Sequence, residues 1–273
     1  MKKKISTIII LLIFLVGLSV LLYPTVADYF NSFAQSRVVA QHYKDLETLN
    51  EEDFEDLFEV ARAYNDTLTK KPNRLVMSPA ELDEYMELLN PFGYGVMGTL
   101  VIDIINVKLP IYHGTSEGVL QIGAGHLEGS SLPIGGVGTH SVITGHRGLP
   151  SSMLLTKLDR MIIGDIFVLH ILNEVLTYRI DQIVVVEPNQ MEELAIKADQ
   201  DYCTLITCTP YGINTHRMLL RGTRTANVER ITGEAFVYDS LAVAAYFMIP
   251  ISAIVALFLG RKLHRIFGRK GWQ

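Results

Sequence analysis

Thr204-Leu205-Ile206-Thr207-Cys208-Thr209-Pro210-Tyr211-Gly212 decides the fold of this chain. Its first five residues are β-branched, apolar or Cys, and Pro210 with Gly212 supply a turn that ends the run. A second β-like run, 216–222, follows at once, so the segment predicts two strands joined by a short loop. A thiol then stands at the mouth of a sheet, at Cys208, rather than deep within one. Cys203 lies five positions earlier, an odd number, and in a regular strand it points to the opposite face.

Working outward, the same texture fills the region after Asn90-Pro91-Phe92-Gly93. Candidate strands are 98–104, 118–122, 140–145, 165–172 and 175–186, separated by Gly and Pro. Many short strands with frequent turns indicate a barrel or sandwich rather than a parallel α/β sheet. The preceding region, 28–90, is helical in pattern. Phe54, Leu57, Phe58 and Ala61 recur at i, i+3, i+4 and i+7 behind Asn50, a candidate N-cap followed by three acids. Ser78-Pro79-Ala80-Glu81 combines a capping box with Pro at the first helical position, and Leu82, Tyr85, Met86 and Leu89 form the apolar face behind it. Nothing in these helices is catalytic by composition.

Two runs lack charge. Residues 5–23 follow Lys2, Lys3 and Lys4 and, at about 1.5 Å per residue, just cross a hydrocarbon core of ~30 Å. A cleavable signal peptide has a shorter apolar part, roughly 7–15 residues, ending at small residues. This run meets Tyr23-Pro24 instead, which favours an uncleaved anchor. Residues 241–259 are also apolar and precede Arg261, Lys262, Arg265, Arg269 and Lys270. Two crossings with basic outer flanks place both termini in the cytoplasm and the stretch between them outside the cell. That stretch holds all 29 acids and 16 of the 24 Lys and Arg, a net charge of −13, which disfavours nucleic acid as a partner. The length of 273 residues suits one sizeable domain plus attachments.

The chemistry-bearing residues are few. On one strand Cys203 and Cys208 are too far apart for a disulfide, and they lack a compact metal-ligand spacing. Cys203 reads as a small buried hydrophobe. A thiol of pKa ~8.5 needs a positive neighbour to become a useful nucleophile. His146, in Ile143-Thr144-Gly145-His146-Arg147-Gly148, sits just past a strand among glycines; His113, His126, His140 and His216 are its rivals. Arg217 begins the strand after the 210–214 loop and can lie beside Cys208, either to stabilise an oxyanion or to make a salt bridge on the rim. Spacing leaves both roles open.

The run from Leu205 through Cys208-Thr209-Pro210-Tyr211-Gly212 to His216-Arg217 resembles the Cys-to-Arg segment of class C, pilus-building sortases. Thr144-Gly145-His146-Arg147-Gly148-Leu149-Pro150 resembles their histidine segment. Leu109-Pro110-Ile111-Tyr112-His113-Gly114-Thr115 and Gly125-His126-Leu127-Glu128-Gly129-Ser130-Ser131-Leu132-Pro133 match as well, and the likeness runs from about residue 85 to 223. The resemblance implies a closed eight-stranded barrel and a C-terminal anchor; with the N-terminal helical arm and two transmembrane helices read from the residues above, the expected fold is mainly β. Its implied organisation is a basic start and anchor (1–23), arm (24–90), catalytic barrel (91–228), linker (229–240), second membrane helix (241–259) and basic tail (260–273).

It further implies Cys208 as nucleophile, His146 as acid/base and Arg217 as the oxyanion or substrate-positioning residue, with no cofactor and no metal. The implied substrates are pilins and other surface proteins bearing an LPXTG-like signal, cut after its Thr and joined to a lysine amine of another pilin. A hydrolytic cysteine protease and a catalytically silent surface scaffold are the rival readings. One departure from the family is evident: its Asp-Pro-aromatic lid tripeptide does not occur between 28 and 97. Asn90-Pro91-Phe92 is a near match, but it stands at the approach to the barrel, and an open thiol is expected.

Overall fold

The computed structural model describes residues 2–227. Its strands are β1 (Val96–Ile102), β2 (Val107–His113), β3 (Ala124–His126), β4 (Thr139–Thr144), β5 (Ile166–Ile171), β6 (Glu174–Val186), β7 (Asp201–Thr209) and β8 (His216–Arg224). Four α-helices accompany them: α1 (Lys2–Leu46), α2 (Glu51–Leu68), α3 (Pro79–Glu87) and α4 (Glu117–Ile122). The strands close into a barrel in the order β1-β2-β3-β4-β7-β8-β6-β5. Most neighbours are antiparallel, but β2 with β3 and β4 with β7 are parallel.

The core lies inside the barrel. Met97, Leu100, Ile111, Phe167, Leu205 and Leu220 are fully buried there, and Phe167 stacks on Tyr178 with ring centroids 5.5 Å apart. Cys203 belongs to this interior and faces Gly222 across β7–β8. A Cβ at Gly222 would come within 2.7 Å of Phe167, so small residues are required where the rings lie. The 118–122 run is the helix α4 rather than a strand: Ser116 in extended conformation precedes it, Glu117 occupies its first turn, and Val119 and Leu120 are adjacent rather than alternating. The short strands β2 and β3 flank it.

The helical arm follows its caps. Asn50 accepts from the backbone of Glu52 and Asp53 while Asp53 returns a bond to the Asn50 N–H, and Ser78 with Glu81 does the same for α3. α2 buries Phe54, Phe58 and Ala61, and its buried Asn65 exchanges two bonds with the Leu132 backbone, at 2.7 and 3.2 Å. On α3 and the residue pair after it only Tyr85, Leu88 and Leu89 are buried; Leu82 and Met86 stay exposed.

α1 continues through Pro24 without ending, so the 23/24 boundary between anchor and arm falls inside one helix. Among the described residues it is the one helix long and apolar enough to cross a membrane, an 18-residue stretch of it within Ile13–Leu46 reaching a mean hydropathy of 1.7. Its later turns cover the barrel: Tyr43 packs edge-on to His170 of β5 at 6.2 Å and under the ammonium of Lys108 of β2. The linker, second apolar run and basic tail expected at 229–273 lie outside the described residues.

Candidate active site

The parallel pair β4–β7 sets the site. Its register runs from Thr139 beside Asp201 to Thr144 beside Ile206. The chain stays stitched to β7 for one residue more: Gly145 N–H donates to Ile206 O at 3.1 Å, and the buried Thr207 hydroxyl donates to Gly145 O at 2.9 Å. His146 is thereby brought level with Cys208. On the other side of β7, Cys208 is the direct register partner of Arg217 in β8. Opposed residues in an antiparallel pair share a face, with Cβ atoms about 4.5–5.5 Å apart. The three expected residues therefore form one row across the ends of β4, β7 and β8.

Alternation fixes which face carries the row. Cys203 and Leu205 point into the barrel, so Ile206 and Cys208 point out. Cys203 is fully buried and its thiol is pushed well up by that burial, whereas Cys208 is half-buried. Below Cys208 on the outer face, Ile206, Leu219, Val184 and Val186 make an apolar floor, walled by Leu194 from the β6–β7 loop.

Two loops overhang the row. In the β4–β5 loop Arg147 is ion-paired with Asp159 and lies over the Tyr211 ring of the β7–β8 loop at 5.9 Å. Gly148, at φ 79°, passes beneath that ring, and a Cβ there would sit 3.2 Å from it. Residues 151–153 of the β4–β5 loop are held by α1: Asp28 accepts from Met153 N–H at 2.7 Å, Asn31 donates to Ser151 O at 2.7 Å, and Gln35 reaches the Ser152 hydroxyl at 3.4 Å. These three side chains share one helix face at i, i+3 and i+7. Arg217 donates to Asn214 O and His216 O, both at 3.2 Å, within its own turn, which contains a cis Thr209-Pro210 bond.

Three of the four rival histidines are structural. His126 donates to Ser131 O at 2.8 Å and accepts from the Tyr85 hydroxyl at 2.9 Å. His140 donates to Ala195 O at 3.0 Å and accepts from Thr204 at 2.7 Å. Burial pulls their pKa values down to about 3 and about 4 respectively, so both are neutral pins. His113 is likewise buried, 2.6 Å from Leu88 O, and burial lowers its pKa. His216 is exposed beside Thr215. Among the described residues no group of three His, Cys, Asp or Glu is placed to hold a metal.

Sequence reasoning missed Glu117. Its carboxylate oxygens both lie 3.3 Å from His146 Nε2. The signal was the Ser116-Glu117 helix start, hidden because the following residues read as a strand. Phe92 stacks on Tyr94 at 5.7 Å and meets His42 edge-on at 6.2 Å. It precedes β1, which runs in the same sense as β7, and so lies toward the end opposite Cys208. The other proline segment of the arm, 71–74, is tied down by Arg74, which donates to Gly129 O and Leu194 O beside a cavity of about 600 Å³.

A sortase-domain model matches residues 100–225. Among solved structures, sortase C1 of Streptococcus agalactiae is 46% identical with a TM-score of 0.67, over 70% of this chain and all of that one. Sortase C of Streptococcus pneumoniae is 44% identical, TM-score 0.64, over 70% and 97%. Sortase C of Clostridium perfringens is 39% identical, TM-score 0.60, over 70% and 99%. No curated protein matches the chain.

Proposed function

Because the chain belongs to the sortase family and its structural matches are class C pilus sortases, we propose that it is a membrane-held cysteine transpeptidase that polymerises pilins. The observation that carries this reading is the row of His146, Cys208 and Arg217 on the outer face, above an apolar floor. The proposed substrate is an LPXTG-like signal of a pilin, lying extended along that floor. Pilin is also the substrate named for the Streptococcus pneumoniae relative.

In the first half-reaction the Cys208 thiolate attacks the Thr carbonyl carbon. The carbonyl oxygen becomes an oxyanion, which the always-charged Arg217 stabilises. As the C–N bond breaks, protonated His146 gives its proton to the leaving amine, and a thioester on Cys208 remains. In the second, a neutral lysine amine of another pilin attacks the thioester, His146 takes its proton, and the thiolate leaves. The product is an isopeptide bond, with no cofactor consumed.

α1 supplies the anchor in this reading, with the barrel on the extracellular side, both termini cytoplasmic and a second membrane helix at 241–259. The arm, barrel and linker boundaries at 24–90, 91–228 and 229–240 belong to the same proposal.

Co-expression with LPXTG-bearing surface proteins should give high-mass ladders that survive boiling in detergent, and Cys208→Ala should abolish them. Ladders that persist in that variant would overturn the reading. Release of only the free acid from a sorting-signal peptide, even with a pilin present, would assign a hydrolase instead. No thioester at Cys208 with either substrate would leave a scaffold.

A further inference from the structure

We propose that Glu117 is the positioning residue of His146: its carboxylate accepts from Nε2, fixes the tautomer and orientation of the ring, and leaves Nδ1 as the nitrogen that exchanges the proton. This rests on the acid/base role given to His146 above. Both carboxylate oxygens are 3.3 Å from Nε2, and among the described residues Nδ1 has no hydrogen-bond partner. The carboxylate is itself braced, since Gln121 Nε2, one helical turn along α4, donates to its Oε1 at 3.0 Å. The ring is mostly covered, with 22% of its side chain exposed, while Glu117 stands 69% exposed at the lip of the site.

The chemistry follows from which nitrogen is occupied. In a neutral imidazole one nitrogen carries the proton and the other accepts, and the partner of one decides the state of the other. A carboxylate at Nε2 holds the proton there, so Nδ1 is basic when the ring is neutral and an acid when it is charged. Both states are needed, one to release the leaving amine and the other to deprotonate the incoming one. A negative charge at this distance also strengthens the hydrogen bond from Nε2–H. Its effect is set against the other charged and titratable groups around the ring. These are Cys208 on β7, Arg217 on β8, and Arg147 in the same loop, whose charge is paired with Asp159. The lowered carboxyl pKa of Glu117, caused by Gln121 and then His146, agrees with this pairing.

The test uses the full chain in detergent with a fluorogenic LPXTG-containing peptide. Glu117→Gln should lower kcat about twofold to fivefold, the range an exposed charge pair supports, with KM unchanged. Glu117→Asp should recover part of the loss, and the difference between wild type and Glu117→Gln should shrink at high salt. An unchanged kcat, or a rise in KM alone, would overturn the positioning role. Full activity in His146→Ala would instead remove the acid/base reading itself, so the two failures are distinguishable. Gln121→Ala, which loosens the brace without touching the charge, should lower kcat less than Glu117→Gln; an equal or larger loss would also count against the proposal.

Discussion

Acidification from pH 7 to pH 5 should destabilise the barrel through His126 and His140. Both are buried and neutral, with pKa values pulled from an ordinary 6.5 to about 3 and about 4. The unfolded chain therefore binds more protons than the folded one throughout this interval. Their contribution is whole above about pH 6.5 and is lost as the pH falls toward the folded values, at up to about 1.4 kcal/mol per unit for each group. Integrated to pH 5 the loss is about 2 kcal/mol per histidine, or roughly 4 for the pair, against a total stability of ~5–15 kcal/mol. Asp201, whose carboxyl burial pushes up, opposes this at lower pH because it takes a proton more readily when folded. Urea denaturation of the full chain in detergent, followed by circular dichroism at both pH values, measures the difference. His140→Gln should lower the starting stability and remove its own share of the pH dependence, about 2 kcal/mol, while His42, whose pKa burial lowers to about 4, and His113 and His170, lowered likewise, go on titrating. Equal midpoints at pH 7 and 5, or an unchanged slope in a His126→Gln/His140→Gln double variant, would refute the reasoning.

Cys203→Ala should keep full transpeptidation and lose roughly 1 kcal/mol of stability, the scale of a small core truncation, measured by denaturation. In the wild type a bulky charged alkylating reagent should modify Cys208 while leaving Cys203 untouched until the protein unfolds. Asp28→Ala with Asn31→Ala removes two of the bonds that tie residues 151–153 to α1, worth about 0.5–1.5 kcal/mol each, and should raise protease cleavage and hydrogen exchange in that loop before elsewhere. Phe92→Ala should leave the alkylation rate of Cys208 within about twofold while lowering stability, since its ring packs on Tyr94 and His42 at the other end of β1; a release of tens of times would reveal a plug.

The elements with strong local causes were legible. Capping boxes at Asn50 and Ser78 announce α2 and α3, and the long apolar runs of β5, β6 and β7 needed no tertiary help. What failed was short. β3 has only three residues, and β2, though seven long with Val107, Leu109 and Ile111 alternating into the core, is interrupted by Pro110; both are completed by the hydrogen bonds their barrel neighbours supply. α4 is hard to tell from a strand because it is only six residues long, and Gly118-Val119-Leu120-Gln121-Ile122 fits either structure at that length. The outer face of α3 was overestimated, because Leu82 and Met86 fit the helical period yet find nothing to cover them.

The site was legible as residue types but not as a row. Cys208 and Arg217 are nine positions apart and a hairpin explains their meeting, which the sequence suggested. His146 is far from both in sequence, and only the parallel pairing of β4 with β7 brings it there. Parallel strands end at the same rim, so the loops that follow β4 and β7 must both overhang the thiol. An antiparallel β4 would have sent its following loop to the other end of the barrel. Register then matters more than sequence spacing, since a slip of one residue between β4 and β7 would move His146 off the Cys208 row and turn the side chains of β4 to the opposite face. The Thr207 hydroxyl on Gly145 O and the Gly145 N–H on Ile206 O oppose that slip at the last step before the histidine. Thr207 thus belongs to the geometry of the site although its side chain lies in the barrel wall and touches none of the three residues in the row. The loops beyond this lock, with Tyr211 over Gly148 and α1 on residues 151–153, can change shape and specificity while the row stays in place.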